Sequence, residues 1–300
     1  MRPSAAFALV AGWLFLTSPP VLRADPLVCN YCRRVITGDY RVYDGRNLHD
    51  SCYFNHYVTH CGICQSPISG QYLFNSWGDT VCAVHLGEYP MCEYCDRLAA
   101  QPLNGRSVHY NDGRDVCGNC EARAVHTGSE VRALLDTVRQ ALLVWGIKID
   151  RELELEPIDK TEMLEVNSAI GREAWGYTDF KQTTSFWGLV KSDEIKVYVL
   201  SRLPREMLLG VLAHELMHVW QFANAPVAMD PALNEGSCEY AAYLVLRDRS
   251  DPYVRYYQEA QQSSDDPLYG GGFRSVRDYV KRVGVPEWLA YLRTHSEPPW

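Results

Sequence analysis

Twelve residues constrain the first half of this 300-residue chain more than any other feature. Cys29-x2-Cys32 is followed after 16 residues by His49-x2-Cys52, Cys61-x2-Cys64 after 17 by Cys82-x2-His85, and Cys92-x2-Cys95 after 21 by Cys117-x2-Cys120. The six pairs use ten of the 11 cysteines and leave only Cys238 outside. A two-residue spacer lets one tight knuckle aim two ligand atoms at a single ion, and two knuckles close the tetrahedron of a structural zinc site. Three structural zinc sites are therefore expected. Disulfides are the competing reading. They would not need histidine in register with cysteine, however, and a Cys-x2-Cys bridge is a redox motif that asks for a βαβ context this segment lacks. His109 is near enough to Cys117 to compete as a ligand, whereas His56, His60 and His126 read as surface or packing residues.

Each unit carries a turn just before its second ligand pair: Tyr43-Asp44-Gly45-Arg46, Ser76-Trp77-Gly78-Asp79 and Asn111-Asp112-Gly113-Arg114. A glycine beside Asp or Trp between short β-rich runs signals a hairpin. Each unit thus reads as one or two hairpins clamped by zinc, with little core of its own. The pattern resembles a LIM domain, which implies zinc binding and protein recognition. It departs from one in its spacers, since eight residues separate Cys52 from Cys61 and six separate His85 from Cys92. Residues 25–128 hold 8 Arg, no Lys and 11 acidic residues, and the whole chain carries −8. That is no footprint for nucleic acid or an anionic membrane.

Upstream, Arg2, an apolar run from Ala5 to Leu16 and Leu22-Arg23-Ala24 follow the order of a secretory signal cut after Ala24. The run is too short to span a bilayer comfortably. The expectation is a signal peptide over 1–24 and export, secreted or periplasmic, without a stable membrane anchor. Residues 25–127 then form the zinc-binding region and 128–300 a second domain. In the second, Ser129 can cap a helix to about Trp145, stopped by Gly146. Ile147–Leu155 and Glu194–Leu200 read as strands. Pro204 starts a helix to about Phe222, Pro231 or Asn234 opens another to about Leu246, and a closing helix covers Ser275–Val283.

The chemistry lies in His214-Glu215-Leu216-Met217-His218. Residues i and i+4 share a helix face, so both imidazoles can address one ion. Glu215 beside them is placed to deprotonate a metal-bound water. The flanks Val211-Leu212-Ala213 and Val219-Trp220 are apolar, which buries the helix. There, unpartnered polar groups cost about 1–3 kcal/mol each. A catalytic zinc keeps three protein ligands and one open position. Glu235, 17 residues after His218, supplies the third. Glu239, one turn on, can accept a hydrogen bond from a ligand imidazole and fix its tautomer. Cys238 reads as a buried thiol.

His-Glu-x-x-His followed by Asn234-Glu235 and a further acid at Glu239 resembles the gluzincin metallopeptidases. The stretches Glu194–Leu200, Leu203-Pro204-Arg205, Leu212–Trp220 and Glu235-Gly236-Ser237-Cys238 resemble more closely the plant organ-size peptidase family called DA-one, whose members join LIM zinc units to a zinc peptidase domain. The resemblance implies His214, His218 and Glu235 as zinc ligands and Glu215 as catalytic base. The expected fold is α+β: three zinc-clamped hairpin units followed by a zincin-like peptidase domain. The expected activity is a zinc-dependent endopeptidase acting on a protein or peptide substrate, with one catalytic and three structural zinc ions. The strand Glu194–Leu200 is expected to pair with extended substrate along its edge. Tyr240, Tyr243, Tyr256, Tyr257 and His295 are the candidates for a second oxyanion donor. Trp175, Tyr177, Phe186 and Trp187 read as core or cleft wall. The alternative is a non-catalytic zinc-stabilised binding scaffold, which would have no use for Glu215 between the two histidines.

Overall fold

Asp44 and Gly45 both take positive φ, 49° and 71°, the backbone of a two-residue hairpin turn. They join β1 (Tyr40–Tyr43) to β2 (Arg46–His49), with Tyr43 opposite Arg46. Gly78 and Gly113, also at positive φ, mark the turns of the other two hairpins. These are β3 (Tyr72–Phe74) with β4 (Thr80–Cys82), and β5 (Val108–His109) with β6 (Asp115–Val116). Short helices follow: α1 (Asp50–His56) after the first hairpin, α2 (Gln101–Asn104) between the second and third, and α3 (Gly118–Glu121) after the third. One hairpin per Cys/His unit falls within the one or two that the turn signals predict.

The computed structural model describes residues 26–168, 174–184, 190–226 and 228–300. The signal segment over 1–24, Phe186 and Trp187 lie outside them. The chain divides into two units, Met1–Thr59 and His60–Trp300. The first holds the first Cys/His unit around Cys29, Ile36 and Leu48. The second holds everything else. Packing runs across the expected boundary at 127/128. Cys92, Cys95, Cys117, Cys120, Tyr94 and Val116 lie in the same buried cluster as the helices of the second half. Val125 N–H donates to Leu203 O at 3.0 Å and Arg205 N–H to Arg123 O at 2.9 Å. Arg114, 2% exposed, pairs with Asp112 at 2.6 Å and donates to Ser201 O at 2.8 Å. Burial alone would raise the Asp112 pKa, but the Arg114 guanidinium lowers it to about 2.

After the hairpins comes α4 (Gly128–Val144), capped by Thr127 rather than Ser129. Thr127 has Glu130 three residues on, so the two close a reciprocal capping box; Ser129 would have faced Arg132. The expected strand at Ile147–Leu155 shifts to β7 (Glu154–Ile158). Ile147 is used differently: Gly146 sits at φ 83° and Ile147 N–H returns to Leu142 O at 3.1 Å, closing the helix end. Then follow α5 (Lys160–Val166), β8 (Gly176–Thr184) and β9 (Val190–Leu200). Long helices complete the chain: α6 (Arg205–Asn224), α7 (Pro231–Leu246), α8 (Pro252–Ser263), α9 (Gly272–Val283) and α10 (Val285–Leu292). Among the described residues no helix is long and apolar enough to cross a membrane.

The sheet of the second half has the order β7-β9-β8, with β7 parallel and β8 antiparallel to β9. This corrects the expectation that Glu194–Leu200 offers an edge. That segment lies in β9, which pairs with β8 along one side and, over Lys196–Leu200, with β7 along the other, and the antiparallel outer strand is β8.

Candidate metal centre and cleft

Helix α6 is apolar around most of its circumference, and 14 of its residues are buried, among them His214 and Glu215. Such a helix sits inside the protein, so its polar side chains need partners there. They find them on α7, which Asp230 starts by accepting from the N–H groups of Ala232 and Leu233. The i,i+4 pair His214/His218 on α6 faces the i,i+4 pair Glu235/Glu239 on α7.

His214 Nε2 lies 3.3 Å and His218 Nε2 3.6 Å from the same atom, Glu235 Oε2. That oxygen is buried and has no hydrogen-bond partner. Behind His214, Nδ1 lies 3.1 Å from Glu239 Oε1. Glu239 is held in turn by Gln261 Nε2, which donates to its Oε2 at 2.5 Å and to its main-chain carbonyl at 2.8 Å. Burial would lower the His214 pKa, but carboxylates at both ring nitrogens hold it well above its ordinary value. The same histidines hold Glu235 well below the carboxylate range against its burial. Two imidazole nitrogens and an orphaned carboxylate oxygen converging in a buried site are the donor set of a divalent cation, and zinc fits it.

Cys238 is the buried thiol that the sequence led us to expect. Its Sγ, with His214 and His218, lies in a group whose ligand atoms are all within 4.8 Å of one another. Yet Sγ sits behind the His218 ring, 3.3 Å from Nδ1 and 3.3 Å from Gln221 Oε1. Burial pushes its pKa well up, which keeps the thiol protonated. The set centred on Glu235 uses the Nε2 side of both rings at once, so it is the geometrically consistent one.

Glu215 is 4% exposed and accepts from Thr178 Oγ1 at 2.7 Å through Oε2. Its Oε1 lies against Gly176, where a Cβ would come within 2.5 Å of it. Strand β8 thus grips the carboxylate from the side. A cavity of about 340 Å³ opens beside it, lined by Trp175, Gly176, His214, Glu215, Tyr257 and Tyr269 among others. Of the five expected oxyanion donors only Tyr257 lines it. Tyr240 and Tyr243 pack against Phe273, Tyr256 donates to Asp96 at 2.6 Å, and His295 stacks on Tyr291 at 4.1 Å. Tyr269, stacked on His214 at 6.0 Å, was not foreseen. It stands just before the run Gly270-Gly271-Gly272, with no periodic pattern to mark it. Trp175 and Tyr177 are core or wall, as expected.

The three cysteine-rich clusters assemble as the spacing requires. Cys29, Cys32, His49 and Cys52 form one; Cys61, Cys64, Cys82 and His85 the second; Cys92, Cys95, Cys117 and Cys120 the third; ligand atoms in each lie within 4.8 Å of one another. All eleven cysteines are free. Cys95 and Cys117 Sγ are 3.7 Å apart, close to the edge of a tetrahedron with zinc–sulfur bonds of about 2.3 Å. The two histidines present different nitrogens. His49 turns Nδ1 to Cys32 at 3.4 Å, with Nε2 3.2 Å from Val35 O. His85 turns Nδ1 to Glu88 at 2.6 Å, and its buried Nε2 has no hydrogen-bond partner. The His85 imidazole beside it lowers the Cys64 pKa to about 6. These clusters can bind zinc. His109 is excluded from the third; it pairs with Asp115 at 2.9 Å on the surface.

No protein-family profile matches the chain, and no solved structure does. Curated relatives do match. The Arabidopsis thaliana protein DA1-related 1 is 20% identical over 88% of this chain and 60% of its own length. Arabidopsis thaliana protein DA1 is 22% identical over 84% and 59%. LIM domain-containing protein HDR3 of Oryza sativa subsp. japonica is 24% identical over 88% and 67%. The chain spans about 60% of the length of the first two. It is thus related, at low identity and over most of its length, to the DA1-like family with LIM domains.

Proposed function

We propose that the chain is a zinc-dependent endopeptidase in which residues 128–300 supply the chemistry and the Cys/His units of residues 25–127 supply stability and protein recognition. The observation that carries this reading is the orphaned Glu235 Oε2 facing His214 Nε2 and His218 Nε2, with Glu215 on the same helix at the wall of a cavity. His214, His218 and Glu235 would hold one zinc ion, and the three cysteine-rich clusters one each. The first of these ions would supply Lewis-acid activation of a water and of the scissile carbonyl.

The protein's own residues do the rest. Glu215 takes a proton on its carboxylate and returns it to the leaving amine nitrogen, as a general base and then a general acid. Thr178 occupies Oε2, and Oε1 lies against Gly176, which lines the cavity. Glu239 holds the His214 ring by its outer nitrogen. An extended substrate would add to β8 as a further antiparallel strand, passing its scissile bond over Glu215. Tyr257 or Tyr269 would meet the developing oxyanion.

The test is Glu215→Gln. It should keep the full zinc content of the wild type while kcat/KM on a peptide library falls by about 10²–10⁴. Equal cleavage by wild type and variant would leave a non-catalytic zinc scaffold as the better account.

A further inference from the structure

The two candidate ligand histidines are held from behind by different chemistry. His214 has a carboxylate, Glu239, at Nδ1. His218 has a neutral amide and a thiol. Gln221 Oε1 is 3.2 Å from His218 Nδ1, Cys238 Sγ is 3.3 Å from the same nitrogen, and Sγ also lies 3.3 Å from Oε1. The orientation of the Gln221 amide is not arbitrary. Its other end, Nε2, donates to Asn234 O at 2.9 Å, and a carbonyl can only accept. The NH2 group must therefore face Asn234 and the oxygen must face His218.

From this we infer that Gln221, with Cys238 behind it, is a positioning residue that fixes the tautomer of His218. An acceptor at Nδ1 demands that the ring carry its proton there. Nε2 is then left with its lone pair directed at the space it shares with His214 Nε2 and Glu235 Oε2. Oε1 has two lone pairs and receives two donors, the Nδ1–H and the Cys238 S–H. The reverse arrangement, with the thiol donating to a bare Nδ1, would set two lone pairs, those of Nδ1 and Oε1, against each other at 3.2 Å. Gln221 is 5% exposed and Cys238 fully buried, so water cannot substitute for either. The device also joins α6 to α7, since Gln221 reaches the main chain of the residue before Glu235. One side chain thereby sets both the tautomer of one ligand and the approach of the helix that carries another. Cys238 serves as a donor in this arrangement and not as a ligand.

This inference rests on the metal site of the proposed peptidase but not on hydrolysis. The measurement is zinc affinity by chelator competition, for the zinc that is lost in the His214→Ala/His218→Ala double variant. Gln221→Leu should bind that zinc about 10–100-fold more weakly than wild type. Gln221→Glu, which retains the acceptor at His218 but loses the donor to Asn234 O, should recover part of the loss, and Cys238→Ser should recover most of the loss seen in Cys238→Ala. Thermal unfolding of each variant separates lost affinity from lost fold. With the cysteine-rich clusters filled with zinc, Co²⁺ at the remaining site should show no thiolate charge-transfer band. Undiminished affinity in folded Gln221→Leu, or a charge-transfer band that disappears in Cys238→Ser, overturns the inference alone. Absence of any zinc that depends on His214 and His218 removes the inference and the metal-site reading together.

Discussion

Glu215, the proposed base, shows how a single missing side chain can position another. Gly176 has no Cβ, and one built there would stand 2.5 Å from Glu215 Oε1 and 2.8 Å from both Glu215 Cγ and Val211 Cγ1. Glu215 can swing its carboxylate away, so Gly176→Ala should cost only about 1–3 kcal/mol of stability. The swing breaks the 2.7 Å bond from Thr178 and points the base elsewhere. We expect peptide hydrolysis to fall at least tenfold, a barrier increase of about 1.4 kcal/mol or more, with zinc content unchanged. Parallel assays of hydrolysis, metal content and thermal unfolding check this, and full activity in a folded variant would refute it. The sequence carried no sign of this contact, because Gly176 precedes its partner by 39 positions and belongs to a strand that periodicity did not reveal. The i,i+4 histidines were legible for the opposite reason: their meeting is local to one helix, and helical geometry alone brings them together.

At the level of elements, close approach of backbones decides where Glu235, the proposed third ligand, stands. A Cβ on Gly236 would lie 2.3 Å from the carbonyl carbon of Gly272, and one on Gly272 would lie 2.4 Å from Ala232 O. Helix α7 and the start of α9 thus touch main chain to main chain, next to Glu235. Unlike Gly176, these positions face backbone, which cannot step aside. Gly236→Ala should therefore destabilise the protein by more than Gly176→Ala does, about 3 kcal/mol or more, and weaken zinc binding at the site. Because Gly236 and Gly272 share one contact, adding Gly272→Ala should cost less than the sum of the two single changes. Additive losses in denaturant melts would show that the two glycines act separately. The run Gly270-Gly271-Gly272 thus ends where α9 meets α7 backbone to backbone. Its Ile, Val and Tyr content located Glu194–Leu200 as a strand, but which strand lies at the edge depends on pairing partners far apart in the chain. Ile147 misled for a local reason: alternation with charged neighbours looks like a strand, while the Gly146 turn ties it to the end of α4.

Across the whole molecule, cysteine content and packing draw different boundaries. The cysteine-rich segment ends at Cys120, and Thr127 caps a new helix, so composition places a border near residue 127. Packing ignores it. The third cluster shares its buried core with α4, β9, α6 and α7, and Tyr253 of α8 reaches Cys120 Sγ at 3.5 Å. Trp77 of the second unit lies between Tyr253 and Tyr256, with ring centroids 4.8 Å and 5.0 Å away. The first cluster closes only its own small core within Met1–Thr59. Metal binding by such units is folding free energy. Equivalent ligand losses in the first and third clusters should therefore have unequal consequences. Cys29→Ser should unfold the first unit alone, leaving the main calorimetric transition and peptide hydrolysis near those of wild type, and limited proteolysis should yield a stable fragment starting close to His60. Cys117→Ser removes a ligand from inside the common core. It should lower the main transition, and hydrolysis should decline with it, since α8 then loses the surface that holds Tyr257 and Gln261 beside the cleft. If Cys117→Ser leaves the main transition where it was, the third cluster is an appendage, and the continuity of the core from Cys92 to Leu292 does not contribute to stability.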